Sequence, residues 1–188
     1  MKHSIKYLIF SALTFTTCTA LALAIVKNDS VETDPYKAPA FRLKSLEGET
    51  ISMDSYEGNY VVIHFATTWC PFCNAEAPHL EKLFQYYKDK NVKVLIIDVK
   101  ESEKQFSKQL KERFNLTFPI LLDPDGATAA KYAPPGILPD LARDEVILAS
   151  NILLDPQGRI QFRSLLDTTN FDAKLVNLRA KLDELLEN

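Results

Sequence analysis

Two hydrophobic periods alternate along the chain. Tyr60-Val61-Val62-Ile63-His64-Phe65 is a nearly continuous β-branched and aromatic run, the pattern of a strand covered on both faces. From Pro71 to Lys90 the period changes: Leu80, Leu83, Phe84 and Tyr87 recur at helical spacing, and Pro71 suits a first helical turn. Val92 to Val99 reads as a second buried strand, Glu103 to Phe114 as an amphipathic helix striped by Phe106, Leu110 and Phe114, and Phe118 to Leu122 as a short strand. Ala127 to Tyr132 predicts a brief helix. The stretch from Ala133 to Glu145, rich in proline, is irregular and longer than most connections in compact domains. Val146 to Leu154 and Gly158 to Leu166 flank the turn Asp155-Pro156-Gln157-Gly158 and predict an antiparallel hairpin. Asn170 to Leu186 closes the chain as a helix with Phe171, Leu175, Leu178, Leu182 and Leu185 inward. Ahead of all these, Phe41 to Leu43 and Thr50 to Met53 flank Glu47-Gly48 as an entering hairpin. The order implies an α/β fold, a mixed central sheet flanked by helices, with one core from about Ala40 to Asn188.

The first 26 residues follow different rules. Lys2 and Lys6 precede an uncharged stretch from Tyr7 to Val26, and polar chemistry returns at Lys27. Such a segment directs export. As a helix it is long enough to span a bilayer interior of about 30 Å, while Ala22-Leu23-Ala24 offers the small residues a signal peptidase reads, so cleaved signal and retained anchor both stay open. Cys18 lies within this stretch, without the flanks of a lipid-modified cysteine, and reads as one more apolar side chain. Residues 27–39 form a linker, and residues 40–188 the folded domain.

Composition narrows the function. With 188 residues, 46% of them hydrophobic and 25% charged, the chain holds one packed domain plus appendages. Its formal charge of −3, about −5 once the signal is removed, carries no basic run, which excludes a nucleic-acid footprint. Three cysteines are too few for a disulfide framework, yet Cys70 and Cys73 are two residues apart.

That pair lies where a buried strand meets the following helix. Amide N–H groups without helical partners, together with the positive end of the helix dipole, stabilise a thiolate there. A thiol near pKa 8.5 is only about 3% ionised at pH 7, whereas one near 7 is half ionised. Cys70 is therefore the expected attacking sulfur and Cys73, further into the helix, the resolving one. A zinc site would need two more ligands, which His64 and His79 do not supply in a metal-binding pattern, so no metal is expected. A purely structural bridge would close too small a ring to restrain the unfolded chain much.

Residues 61–80, around Trp69-Cys70-Pro71-Phe72-Cys73, resemble the signature of the thioredoxin-like superfamily, in particular its exported, membrane-tethered thiol-disulfide reductases of the TlpA/ResA type. Residues 118–123 and 153–160 resemble later strands of that branch. The resemblance implies a thioredoxin fold, exported protein thiols and disulfides as partners, a membrane-embedded thiol reductase as electron donor, and no cofactor beyond the redox-active disulfide. Glu76 matches the branch's acidic residue after the cysteine pair and can exchange a proton with Cys73, or else is a helix-surface carboxylate. His64 takes the place of thioredoxin's buried aspartate, as a proton relay or a core histidine. Trp69, Pro71, Phe72, Leu148 and Ala149 are the expected substrate contacts, with simple packing the alternative for Trp69. One departure concerns the family's cis-proline before the final hairpin: that position holds Ala149, where a trans bond and an altered docking groove are expected, and Pro139 would reach it only through a long insertion.

Two other functions compete with a thiol-disulfide oxidoreductase. A peroxiredoxin-like thiol peroxidase would want Pro-x-x-x-Thr-x-x-Cys; Thr67 is three before Cys70, but Ile63 stands at the proline position. A non-catalytic binding module on the same fold would dock its ligand near Ala149.

Overall fold

The computed structural model describes residues 34, 36–101 and 107–187. The expected export segment at residues 1–26 with Cys18, much of the expected linker and the first turn of the helix expected from Glu103 lie outside the described residues. Among the described residues, no helix is long and apolar enough to cross a membrane.

The strands are β1 (Arg42–Ser45), β2 (Thr50–Ser52), β3 (Tyr60–Ala66), β4 (Val92–Val99), β5 (Ile120–Asp123), β6 (Ser150–Leu154) and β7 (Ile160–Ser164), in the spatial order β2-β1-β5-β4-β3-β6-β7. The central β5, β4 and β3 are parallel, and β1 and β6 join their flanks antiparallel. Among the described residues, five α-helices accompany them: α1 (Pro71–Tyr87), α2 (Glu112–Phe114), α3 (Ala127–Tyr132), α4 (Arg143–Val146) and α5 (Val176–Glu187).

Alternation along β3 divides the core. Val62 and Ala66, with Val94 and Ile96 of β4, pack against Ala77, Leu80, Leu83 and Tyr87 of α1 and Leu178 and Leu182 of α5. Val61, Ile63 and Phe65 point the other way, with Leu95 and Ile97, toward Phe41 and the Ala129 and Tyr132 side chains of α3. A leucine as fully buried as Leu80 contributes about 1.5–3 kcal/mol, so the two covered faces hold the sheet rigid beneath α1. His64 falls between Val62 and Ala66 and therefore faces α1.

The structure departs from the hydrophobic pattern in three places. The apolar run from Val146 is not all strand: α4 ends at Val146, a turn follows, and β6 pairing starts at Ser150. The break coincides with Ala149, whose φ of +56° is left-handed and cannot continue a ladder. The last helix begins at Val176 rather than Asn170, because Leu175 also has positive φ (+59°) and the Asp172 carboxylate accepts the Asn177 N–H at 2.8 Å, capping the helix there. Between Ser107 and Phe114 the helix is π-helical to Lys111 and α-helical only over α2.

Candidate active site

The loop from Thr67 to Trp69 carries the chain from β3 into α1. It is latched on both sides: the Glu101 carboxylate accepts the Thr68 N–H at 2.9 Å and its hydroxyl at 2.6 Å, and Asn74 Nδ2 donates to the Thr68 carbonyl at 2.9 Å. Cys70 is the N-cap of α1, with extended backbone (φ −77°, ψ 113°), and its Sγ accepts the Cys73 N–H at 3.2 Å. Pro71 occupies the first helical position, where its missing N–H leaves no donor stranded. The sulfur thus does the work that a serine or aspartate oxygen does at most helix starts.

Cys70 and Cys73 are joined as a disulfide, with Cα atoms 5.3 Å apart. The two sulfurs differ sharply in setting. Cys70 is 4% exposed and lies at the floor of a surface groove, whereas Cys73 is fully sealed, its Sγ 3.9 Å from the Phe65 carbonyl. For the dithiol, hydrogen bonding from the Cys73 thiol lowers the Cys70 pKa to about 7 against the opposing effect of burial, with the Cys73 and Phe72 backbone amides helping. Burial pushes the Cys73 thiol far up, and the neighbouring Cys70 adds to the rise. One sulfur is ionised near neutral pH and the other holds its proton.

Behind the disulfide lie three buried polar side chains. Asn151, on β6, is in register with His64 on β3. Its Oδ1 is 3.1 Å from His64 Nδ1, and its Nδ2 donates to Glu76 Oε1 at 2.9 Å. Glu76 is therefore no helix-surface carboxylate, although the chain expectation allowed one; α1 turns it inward, 3% exposed. Burial above all, with help from the Cys70 and Asp172 charges, raises its pKa to about 8 against the hydrogen bond from Asn151. Burial lowers His64 to about 4. Near pH 7 Glu76 carries a proton and His64 is neutral, so their 3.4 Å approach is a contact between two uncharged groups rather than an ion pair. With Asn151 Oδ1 as its acceptor, neutral His64 carries its proton on Nδ1.

The expected substrate contacts divide between two cavities. Trp69, Pro71, Phe72 and Leu148 line the groove above Cys70, of about 830 Å³, together with Ile137, Leu138 and Leu141 from the proline-rich segment. Ala149 lines a separate cavity with Glu76 and Asn151. Its peptide bond is trans, as are all others among the described residues, and its N–H donates to the Phe65 carbonyl at 2.9 Å. Asn151 escaped the sequence reading. The available signal was a lone amide within the predicted strand Val146 to Leu154, immediately before Ile152-Leu153-Leu154, one strand away from an equally isolated histidine.

The AhpC/TSA family pattern matches residues 36–163, which include both cysteines, Glu76, His64 and Asn151. The chain belongs to the AhpC/TSA family. Among curated AhpC/TSA-like relatives, thiol-disulfide oxidoreductase ResA of Bacillus thuringiensis subsp. konkukian is 31% identical over 127 residues, covering 66% of this chain and 65% of that protein. The chain thus spans just under two thirds of the length of this relative. Two solved structures share the fold. The thioredoxin domain of a thiol-disulfide oxidoreductase from Bacteroides vulgatus superposes with a TM-score of 0.60 at 24% identity, covering 78% of this chain and 94% of that one. A secreted Mycobacterium tuberculosis disulfide oxidoreductase gives 0.60 at 24% identity, covering 77% and 95%. This AhpC/TSA-family protein has the thioredoxin fold, preceded by a β1–β2 hairpin.

Proposed function

We propose that the protein is an extracytoplasmic thiol-disulfide oxidoreductase that reduces the disulfides of exported proteins. The observation that carries this reading is the division of labour between the two sulfurs: Cys70 at the floor of a groove, acidified in the dithiol, beside a sealed Cys73 that holds its proton there and closes the disulfide with it. In the reductive half-reaction the Cys70 thiolate attacks one sulfur of a client disulfide. The client S–S bond breaks, one client sulfur leaves as a thiolate and takes up a proton, and the other stays joined to Cys70. Cys73 then loses its proton and attacks Cys70 Sγ, the mixed disulfide breaks, and the client departs with both sulfurs reduced as the Cys70–Cys73 bond closes. Two electrons have passed to the client.

Cys73 needs a base for the second step, because burial holds its proton on. Glu76 is the group placed for it: once Cys70 is bonded to the client, the Cys70 charge that helped hold the proton on Glu76 is gone, and the carboxyl, having released its proton, can accept that of Cys73. Asn151 fixes the carboxyl's orientation, and His64, wedged behind Asn151 in its neutral form, fixes Asn151. On this reading His64 is a positioning residue rather than a proton relay. Re-reduction of Cys70–Cys73 falls to a membrane-embedded thiol reductase, and the export segment at residues 1–26 places the domain on the same side of the membrane as that donor. The Mycobacterium tuberculosis disulfide oxidoreductase that shares this fold is secreted, which supports that side.

The experiment is insulin disulfide reduction by the full-length protein, with Cys70→Ser as control, alongside the Cys70–Cys73 reduction potential and mass-spectrometric trapping of clients on Cys73→Ser. Turnover that vanishes in Cys70→Ser and a strongly reducing potential are expected. Hydrogen peroxide consumption outpacing disulfide reduction would instead support the thiol peroxidase.

A further inference from the structure

The groove above Cys70 has a composition of its own. Four of the large hydrophobic side chains exposed among the described residues line it: Trp69 at 67%, Leu138 at 51%, Leu141 at 44% and Ile137 at 41%. Three of these come from the segment between α3 and α4, which is held in a fixed shape. The Arg143 guanidinium donates to the Ile137 carbonyl at 3.0 Å and also to the Pro134 carbonyl, and the Leu141 N–H donates to the Leu138 carbonyl at 3.1 Å. Leu138 has a left-handed φ of +45°, a conformation that costs a branched residue about 1–2 kcal/mol. Strain combined with outward-facing leucines gives no stability to the free protein, and such a combination is retained where the surface meets something else.

The polar groups narrow what that is. The charged residues lining the groove, Glu145 and Asp167, are both acidic. Asp167 accepts hydrogen bonds from the Asn170 side chain and from the Thr169 and Asn170 amides, which hold its pKa below the ordinary carboxylate range, so it is ionised throughout the neutral region. An anionic ligand would meet repulsion here and no counter-cation.

The backbone narrows it again. Three successive amides leading into β6 are satisfied internally: Leu148 donates to the Glu145 carbonyl, Ala149 to Phe65 and Ser150 to Ile147, at 3.2, 2.9 and 3.1 Å. A client strand finds none of these three N–H groups free, so main-chain pairing here is limited to the carbonyls and side chains must supply most of the affinity.

Resting on the oxidoreductase reading above, we propose that the Ile137–Leu141 segment selects the client: a polypeptide disulfide whose cysteine is flanked by apolar side chains, gripped by Trp69, Ile137, Leu138 and Leu141, with acid-flanked cysteines and glutathione disulfide rejected. Recognition is by side chain, and it is built by the segment between α3 and α4 rather than by the cysteine helix.

The test uses the reduced full-length protein and four disulfides: hydroxyethyl disulfide, glutathione disulfide, and two short peptide disulfides of identical length with Leu or Asp on both sides of the cysteine. Second-order rates are compared for the wild type and for Leu138→Lys/Leu141→Lys, two exposed positions away from the reacting sulfurs. The wild type should favour the Leu peptide over the Asp peptide and over glutathione disulfide at least tenfold. The double variant should bring the Leu and Asp peptides within about twofold of each other, each rate being taken relative to that of the same protein with hydroxyethyl disulfide, which is too small to reach the wall and reports the thiol chemistry alone. Equal wild-type rates for the two peptides, or a preference that survives the double substitution, would overturn the proposal. A wild type inert toward hydroxyethyl disulfide would instead overturn the oxidoreductase reading, and the proposal with it.

Discussion

At the scale of single residues, the site rests on groups whose charge differs from what their side chains carry in water. The Cys70 pKa of about 7 owes most to the hydrogen bond from the Cys73 thiol, so removing that thiol has a predictable result. In the reduced protein, the pH dependence of iodoacetamide alkylation at Cys70 should have its midpoint near 7, and Cys73→Ser, whose hydroxyl is a different donor, should move it measurably; an unmoved midpoint would show that the helix start alone sets the acidity. Glu76 makes a prediction with the opposite sign from most carboxylates. Its folded pKa, about 8, lies above its unfolded value, so between roughly pH 4.5 and 8 the folded state binds the extra proton and stability from this group falls as pH rises. His64, at about 4, works the other way between 4 and 6.5, where the unfolded state binds the extra proton. The two slopes offset one another below pH 6.5, leaving a decline between 6.5 and 8. Asp98, buried with neither carboxylate oxygen hydrogen-bonded, is also raised to about 8 and declines in parallel. Thermal melts of wild type and Glu76→Gln separate these contributions, since Asp98 is common to both: the variant should gain stability relative to wild type progressively as pH rises toward 8, and a constant difference would show Glu76 to be ionised throughout.

Secondary-structure elements show where sequence pattern suffices and where it does not. Strand β4 and helix α3 appear with the bounds the pattern predicts, since Val92–Val99 and Ala127–Tyr132 are each bounded by polar residues or turns. Helix α1 runs to Tyr87 through Pro78, whose lack of an N–H costs roughly 3 kcal/mol in a helix interior, because Leu80, Leu83 and Tyr87 are fully buried beyond it. The run Val146-Ile147-Leu148 misleads for a physical reason: apolar residues there fill the core from a turn, and periodicity cannot distinguish that from a strand when the chain reverses at a left-handed alanine. Cys70, Cys73 and Glu76 were legible because one helix start places all three; the Asn151 contact was not, because it depends on the register of two strands 87 residues apart. Two substitutions test these assignments by chemical denaturation. Leu83→Ala, on the inward face of α1, should destabilise by about 2–5 kcal/mol. Asn115→Gly, at the exposed left-handed residue that ends α2 (φ +51°), should stabilise by about 0.5–1 kcal/mol.

For the molecule as a whole, one sheet serves two layers, and the chemistry sits at the end of the central parallel strands where α1 begins. That placement at the C-terminal ends of the strands follows the general rule for α/β sheets, which explains why the fold class and the site location emerge together from one strand-helix junction. The export reading belongs to this scale as well. In intact cells expressing full-length Cys73→Ser, a membrane-impermeant maleimide should label Cys70; labelling only after lysis would place the domain on the cytoplasmic side and remove the proposed electron donor. Finally, the sealing of Cys73 has a consequence for traffic. On the proposed oxidoreductase reading, a second chain cannot be captured on that sulfur while Cys70 holds the first, so clients would pass in single file rather than being stapled together through this protein.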